Sequence, residues 1–459
     1  MPFEDMEFWE KERNGRLTAA ERAGGPVGHY EGPAGGVMWV AGQFLINADQ
    51  ARMLDLDGAE GQRRGFDQIS VPWLDPSLLL FTAGGGGDDW TFLDLINGIR
   101  GELAALGVAD PAVAPHYLLS GEMKGTVPRG GPASSPWVAG AVQTPPSWGS
   151  GIPRVAIIDT GIDSGASWSS SITHSAEDVD PLLVPGAPAG SLGSQAGHGT
   201  FIASLVERMS GAGVRLRAVR VLDVDGIGSE VDVVKGLHDL RLEQPEGLFV
   251  VNMSLGGFTD DGGWVSNDGA KNPVFPPSAK DRMPLALAAE LSNWAGRGAV
   301  FVAAAGNDGE HREFWPAALA DPAREPGLVR PTFVAVGSVQ RTLEPSTFTN
   351  TGTWVSVSTL GEDLVSDYPL GAFPLTPSYS EEFTVRAARW SGTSFAAPVV
   401  TAELVRRVTE DPANPVTPDE AWKALWSTLP PVLPGGPEIG RVWDPRTGVS
   451  GPPRDPRLP

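Results

Sequence analysis

Trp390-Ser391-Gly392-Thr393-Ser394-Phe395-Ala396-Ala397-Pro398 is the stretch on which the reading of this chain turns. A glycine and two hydroxyl residues open an apolar run, Phe395 to Val405, with the composition of a buried helix. The first turn of a helix carries unpaired backbone N–H groups and the positive end of the dipole. A serine there sits where an oxyanion created by its own attack would be stabilised. The same residues also suit an ordinary helix N-cap. The stretch alone leaves both readings open, and the rest of the chain must choose.

Outward from it, residues 151–430 alternate strand-like and helix-like runs. Strands are expected at 152–158, 217–222, 248–252, 299–304, 333–337 and 354–357, and helices at 201–209, 231–240, 285–297 and 395–405. Thr417-Pro418-Asp419-Glu420 has the form of a capping box with proline at the first helical position, introducing a helix to about Ser427. This alternation predicts a three-layer α/β domain with a mostly parallel sheet, whose strand ends converge on one edge.

Four polar residues fall at strand–helix junctions on that edge: Asp159 after Val155-Ala156-Ile157-Ile158, His198 in Gly197-His198-Gly199-Thr200, Asn307 after Ala305-Gly306, and Ser394. A serine hydroxyl is a weak nucleophile and needs a base, which histidine supplies near neutral pH. The histidine needs an acceptor on its other nitrogen, a role open to Asp159. A side-chain amide, Asn307, can donate to the oxyanion together with the Ser394 N–H. Each residue has a plain alternative as a turn, a helix start or an αL position. Four in this order, each in its own glycine-flanked junction, favour the chemistry.

The motifs then become specific. Asp159-Thr160-Gly161-Ile162-Asp163, Gly197–Thr200, Asn252-Met253-Ser254-Leu255-Gly256-Gly257, Ala304-Ala305-Gly306-Asn307-Asp308-Gly309 and Ser391–Pro398 resemble, in order, those of the subtilisin-like serine peptidases. The resemblance covers about residues 150–430. It implies a subtilisin-like domain with about seven strands and a serine endopeptidase activity. It assigns Asp159, His198 and Ser394 as triad and Asn307 as oxyanion donor. It also implies a cleft with Ser254, Leu255 and Gly256 on one side of the S1 pocket and Ala304, Ala305 and Gly306 on the other. Extended substrate would pair with Ser254–Gly256 and with Gly226, Ile227 and Gly228 by strand addition. Asp308 at the rim would favour a basic or polar residue before the scissile bond. Val399 stands where the family often has histidine, and Thr359-Leu360-Gly361 where it has Ala-Pro-Gly. Segments 258–284 and 363–389 read as insertions that narrow the cleft.

The remaining chain divides into an irregular segment (1–35), a small α+β domain (36–120), a Gly/Pro/Ser linker (121–150) and a Pro/Gly-rich tail (431–459). Residues 89–106 have helical apolar spacing with Gly107 at the C-cap position. The Gly84–Gly87 run lacks the Lys-Ser/Thr of a phosphate loop and reads as a turn. His29 and His116, without partner motifs, read as structural or exposed. The 36–120 domain loosely resembles the family's propeptide, which would carry residues 117–135 across the cleft as product or inhibitor.

A net charge of −22 argues against nucleic acid and anionic membrane partners. The absence of cysteine excludes disulfides, thiolate metal sites and a cysteine nucleophile. The acidic start, Met1–Arg13, is not a secretory signal, and no apolar run reaches about 18 residues. A cytoplasmic location is therefore expected, with a polypeptide substrate and an oligomeric state left open. No cofactor is expected for the chemistry. Calcium is implied by family analogy alone, because Asp223-Val224-Asp225-Gly226 is too short for an EF-hand and metal ligands stay unknown. The competing expectation is a catalytically silent peptide-binding scaffold on the same fold.

Overall fold

The computed structural model describes residues 27–32, 35–84, 89–121, 129–130, 154–166, 171–184, 188–210, 214–243, 249–259, 283–321, 330–376, 379–411, 414, 416–431, 436 and 438–446. The chain forms two compact units. One comprises residues up to Leu119 with Ile227–Asp239 and Gly257–Asn293; the other comprises Ser120–Gly226, Leu240–Gly256 and Trp294 onward. The helix-bearing segments 227–239 and 257–293 group with the N-terminal residues. Residues 85–87 of the Gly84–Gly87 turn and residues 260–282 of the 258–284 insertion lie outside the described residues.

In the first unit an antiparallel sheet has the order Ile227–Ser229, Val113–Gly121, Gly35–Asn47, Leu78–Ala83, Phe66–Ile69, and Val27–Gly32 pairs with Gly35–Asn47. The helix Asp89–Ala105 buries Phe92, Leu93, Ile96, Ile99 and Leu103, the apolar positions of its sequence pattern. It ends before Gly107, whose φ of 89° only glycine adopts without strain. Trp39 stacks on Phe92 at 6.0 Å and Phe44 on Phe81 at 5.5 Å. Residues 27–32, expected to be irregular, are a strand. Only Val27 and Tyr30 favour it locally, and pairing with Val37–Val40 supplies the rest. His116 is buried with Nδ1 2.9 Å from Gln43 Oε1, and burial pushes it down to about 4, a neutral structural residue.

The second unit is built on eight parallel strands, ordered Arg441–Val442, Val357–Leu360, Thr332–Val339, Val300–Ala304, Phe249–Met253, Arg154–Asp159, Arg215–Arg220, Ser171–Thr173. The two-residue strand Arg441–Val442 adds to the seven or so expected. It lies in a tail expected to be loose, and Ile439 and Trp443 beside it are buried. The central strands are apolar on both faces, as a doubly covered sheet requires. Val155, Ile157, Val250, Val302 and Val334 pack in one core with Phe201, Phe395 and Leu404 of the helices His198–Ser210 and Thr393–Thr409. On the other face Trp294 meets Phe249 and Phe301 edge-on, and Phe301 stacks on Phe333 at 5.1 Å. The fold is three-layer α/β. After Arg154–Asp159 the chain forms the edge strand Ser171–Thr173, returns inward through Arg215–Arg220, and then crosses to Phe249–Met253 on the other side. The C-terminal ends of the adjacent strands Arg154–Asp159 and Phe249–Met253 mark the topological switch point, where such sheets place their sites.

Within the first unit Glu230 is wholly buried, accepting from Tyr117 N at 3.3 Å and Ala286 N at 2.8 Å. Burial pushes its carboxyl up to about 8, against the pull of these N–H groups and that of Leu287. The folded chain therefore keeps a proton that the unfolded chain loses above its ordinary pKa of 4.5. Stability relative to Glu230→Gln should be highest below that value and fall, by up to roughly 4 kcal/mol, as pH rises to about 8. Urea unfolding of both proteins across this range measures it; parallel curves would contradict it.

Candidate active site

Asp159 ends its strand at the switch point, and the helix His198–Ser210 begins beside it. Asp159 is 0% and His198 1% exposed. Asp159 Oδ1 lies 2.8 Å from His198 Nδ1 and accepts from Thr160 N at 2.8 Å. The contact is possible because Gly199 has no side chain: a Cβ there would collide with Gly161 O and lie 3.3 Å from Asp159 Cβ. His198 Nε2 is buried and has no hydrogen-bond partner among the described residues. The imidazole is held between Trp390, edge-on at 5.5 Å, and Phe395 at 5.3 Å. Phe395 follows Ser394, so the imidazole adjoins the start of the helix Thr393–Thr409.

Ser394, in the first turn of that helix, is fully buried. Its Oγ donates to Ser254 O at 3.3 Å, and its carbonyl accepts from Ser254 Oγ at 2.7 Å. Behind it Asn252 Nδ2 donates to Ser254 Oγ at 2.9 Å and Thr401 Oγ1 to Asn252 Oδ1 at 3.0 Å. Asn307 Oδ1 accepts from Thr393 N at 2.8 Å, and its Nδ2 faces Gly392, where a Cβ would be 2.9 Å away. Gly306 N donates to Thr393 Oγ1 at 3.1 Å. The four expected residues thus meet at one sheet edge.

The model of the subtilase family matches residues 150–437. The chain belongs to the subtilase family. Subtilisin BL of Lederbergia lenta is 26% identical over 291 residues, covering 60% of this chain and 85% of the relative. Thermitase of Thermoactinomyces vulgaris is 27% identical over 274 residues, covering 56% and 77%. Among solved structures, a cold-adapted subtilisin-like serine proteinase covers 63% of this chain and 87% of its own, at 20% identity and a TM-score of 0.44. The protein is a subtilisin-like serine endopeptidase, a hydrolase acting on polypeptides. No helix among the described residues is long and apolar enough to cross a membrane, and none of their acidic or histidine side chains form a cluster of three or more fit to hold a metal.

In this subtilase the positions expected to pair with extended substrate are already paired. Leu255 and Gly256 run antiparallel to Gly121 and Ser120. Gly121 N donates to Gly226 O at 2.8 Å. Ile227–Ser229, which contains Gly228, lies beside Val113–Gly121 in the other sheet. Ala304 and Ala305 are buried, Gly306 has φ 101°, and Asp308 is fixed through its N–H to Asn350 Oδ1 at 2.9 Å. Within the 363–389 segment Pro369 and Tyr368 lie against Gly197, the residue before His198. Tyr368 and Phe383 join the core of Trp390 and Phe395, and Asp367 pairs with Ser204 and Arg208 of the His198 helix.

Sequence reading missed two residues. Phe314 is treated below. Asp180, 3% exposed, accepts on Oδ2 from Thr160 Oγ1 at 3.1 Å and from Gly197 N at 2.8 Å, and Thr160 Oγ1 accepts from Gly199 N at 3.1 Å. One carboxylate therefore ties the residue after Asp159 to the residue before His198. Burial pushes it up to about 6, with the Asp159 charge adding to the rise. Its only sequence signal was an Asp178-Val179-Asp180 run in a polar loop. Asp180→Ala should lower kcat by about 10²-fold with KM little changed, because the loss is in the placement of the base rather than in binding. Steady-state kinetics on a peptide, with circular dichroism to confirm folding, tests this; an unchanged kcat would remove Asp180 from the site.

Proposed function

We propose that Ser394 is the nucleophile, His198 the general base and acid, Asp159 the acceptor that orients it, and Asn307 the side-chain oxyanion donor. The observation that carries this reading is the buried 2.8 Å contact of Asp159 Oδ1 with His198 Nδ1, which leaves Nε2 unpartnered among the described residues. Held in that tautomer, Nε2 is the basic nitrogen that can take the Ser394 proton. Attack of Oγ on a peptide carbonyl gives a tetrahedral oxyanion, which Asn307 Nδ2 and the Ser394 N–H, at the positive end of the helix, can hold. Collapse expels the amine, protonated by His198. Water, activated by the same imidazole, then hydrolyses the acyl-enzyme. Substrate would dock as an extended strand between Gly226 and Ser254–Gly256.

The reading extends to regulation. Ser120–Gly121 pairs with Leu255–Gly256 and Gly226 in the manner a substrate strand would. Ser120–Gly121 accordingly act as an inhibitory segment that must leave before another polypeptide can bind. A fluorophosphonate should label the wild type and not Ser394→Ala, and Ser394→Ala should cut peptides about 10⁴-fold more slowly or worse. On purification the wild type should be nicked between residues 117 and 150 while Ser394→Ala stays full length, as intact-mass spectrometry would report. No labelling under any condition defeats the nucleophile assignment, whereas labelling without nicking defeats only the self-processing.

A further inference from the structure

The two walls of the expected S1 pocket are closer to being joined than parted. Gly256 and Gly306 each present a bare α-carbon, the arrangement that leaves room for a bound side chain. Here that room holds the ring of Phe314. A Cβ on Gly256 would run into Phe314 Cε1, with Phe314 Cδ1 at 2.8 Å and Trp315 O at 2.5 Å. A Cβ on Gly306 would run into Asn350 Nδ2, with Phe314 Cγ at 3.1 Å. One ring therefore lies against both walls, and it is 6% exposed.

The ring is held from behind. Phe314 O accepts from Ala318 N at 2.8 Å, and the short helix Ala317–Ala320 that follows is buried through Ala317, Ala318 and Leu319. Trp315 is 1% exposed. Asn350 is fixed by accepting on Oδ1 from Asp308 N at 2.9 Å and Glu310 N at 3.0 Å. Its Nδ2 is buried beside the ring and has no hydrogen-bond partner among the described residues. Withdrawing Phe314 would mean moving this packed turn, and a close-packed interior resists such a shift.

We propose that Phe314 closes the pocket between Gly256 and Gly306 to large side chains, so that this enzyme cleaves after glycine, alanine or serine. The inference rests on Ser394 being the nucleophile. A leucine or phenylalanine before the scissile bond would have to displace the ring. A serine hydroxyl is small enough to enter and can accept from Asn350 Nδ2. The preference for a basic residue, expected from Asp308, is not compatible with this floor, because a lysine or arginine stem needs the depth that the ring occupies.

The test uses the protein as purified, nicked as expected above and diluted so that the strand ending at Gly121 leaves, with peptidyl phosphonates that differ only in the residue before the phosphorus: alanine, serine, leucine, phenylalanine or lysine. Each inactivation rate is read as loss of later fluorophosphonate labelling, so every protein that labels gives an answer. Alanine and serine reagents should inactivate the wild type at least about tenfold faster than leucine, phenylalanine or lysine reagents. Phe314→Gly should accelerate the phenylalanine reagent at least about tenfold and the alanine reagent much less. Phe314→Leu, which keeps most of the packing, should fall between and guards against a glycine variant that does not fold. A wild type inactivated fastest by the phenylalanine, leucine or lysine reagent overturns the proposal while leaving the nucleophile in place. A wild type that fluorophosphonate never labels overturns the nucleophile assignment, and this proposal with it.

Discussion

A carboxylate and an imidazole held 2.8 Å apart, both almost wholly out of water, are the constraint around which this structure is arranged. Removing a carboxylate from water costs several kcal/mol, and the attraction to one partner does not offset it without further hydrogen bonds. One such bond comes from Thr160 N at the end of the strand, and the start of the helix is tied to the same residue through Gly199 N and Thr160 Oγ1, so both must be brought to the same edge of the sheet. Asp180 joins the two backbones, and Gly199 lets them approach. Trp390 and Phe395 then cover the imidazole with apolar surface. The sheet, the loop from Asp163 to Ala196 and the segment after Gly361 are all used in fixing one pair of side chains.

The nucleophile's side of the site is held differently. There a buried polar network, Thr401 to Asn252 to Ser254 to the carbonyl of Ser394, runs from the helix interior to the end of the strand Phe249–Met253. Thr393 donates to Asn307 Oδ1 and accepts from Gly306 N, both at a third strand end. A network with each member satisfied fixes a single arrangement, and here it fixes the first turn of the helix Thr393–Thr409 against two strands.

Much of this was legible in the residues because it depends on local grammar. Val155–Ile158 and Phe249–Val251 are apolar on both faces, which only a covered parallel strand requires. Thr417 to Glu420 form the capping box that their spacing predicts. Asp159, His198, Asn307 and Ser394 each sit at a junction with glycine nearby. What stayed illegible depends on distant pairing. Val27–Gly32 is a strand only because Gly35–Asn47 lies beside it, and Arg441–Val442 only because Val357–Leu360 does. Asp180 and Phe314 carry no motif; their importance comes from what folding puts next to them. The helices Glu230–Glu243 and Leu285–Asn293 were found from periodicity, yet periodicity says nothing of the residues they associate with.

The strand Val113–Gly121 has a consequence for how the proposed inhibition would be relieved. While it is continuous with the rest of the chain, it meets its pairing positions at an effective concentration of about millimolar, set by the tether rather than by the solution. A peptide arriving from outside competes poorly against that, however much protein is present. Once the chain is interrupted beyond Gly121, the same strand becomes an ordinary ligand whose occupancy falls on dilution. Under that reading a crowded preparation would stay quiet and a dilute one would not, so dispersal of the protein would itself act as the activating signal.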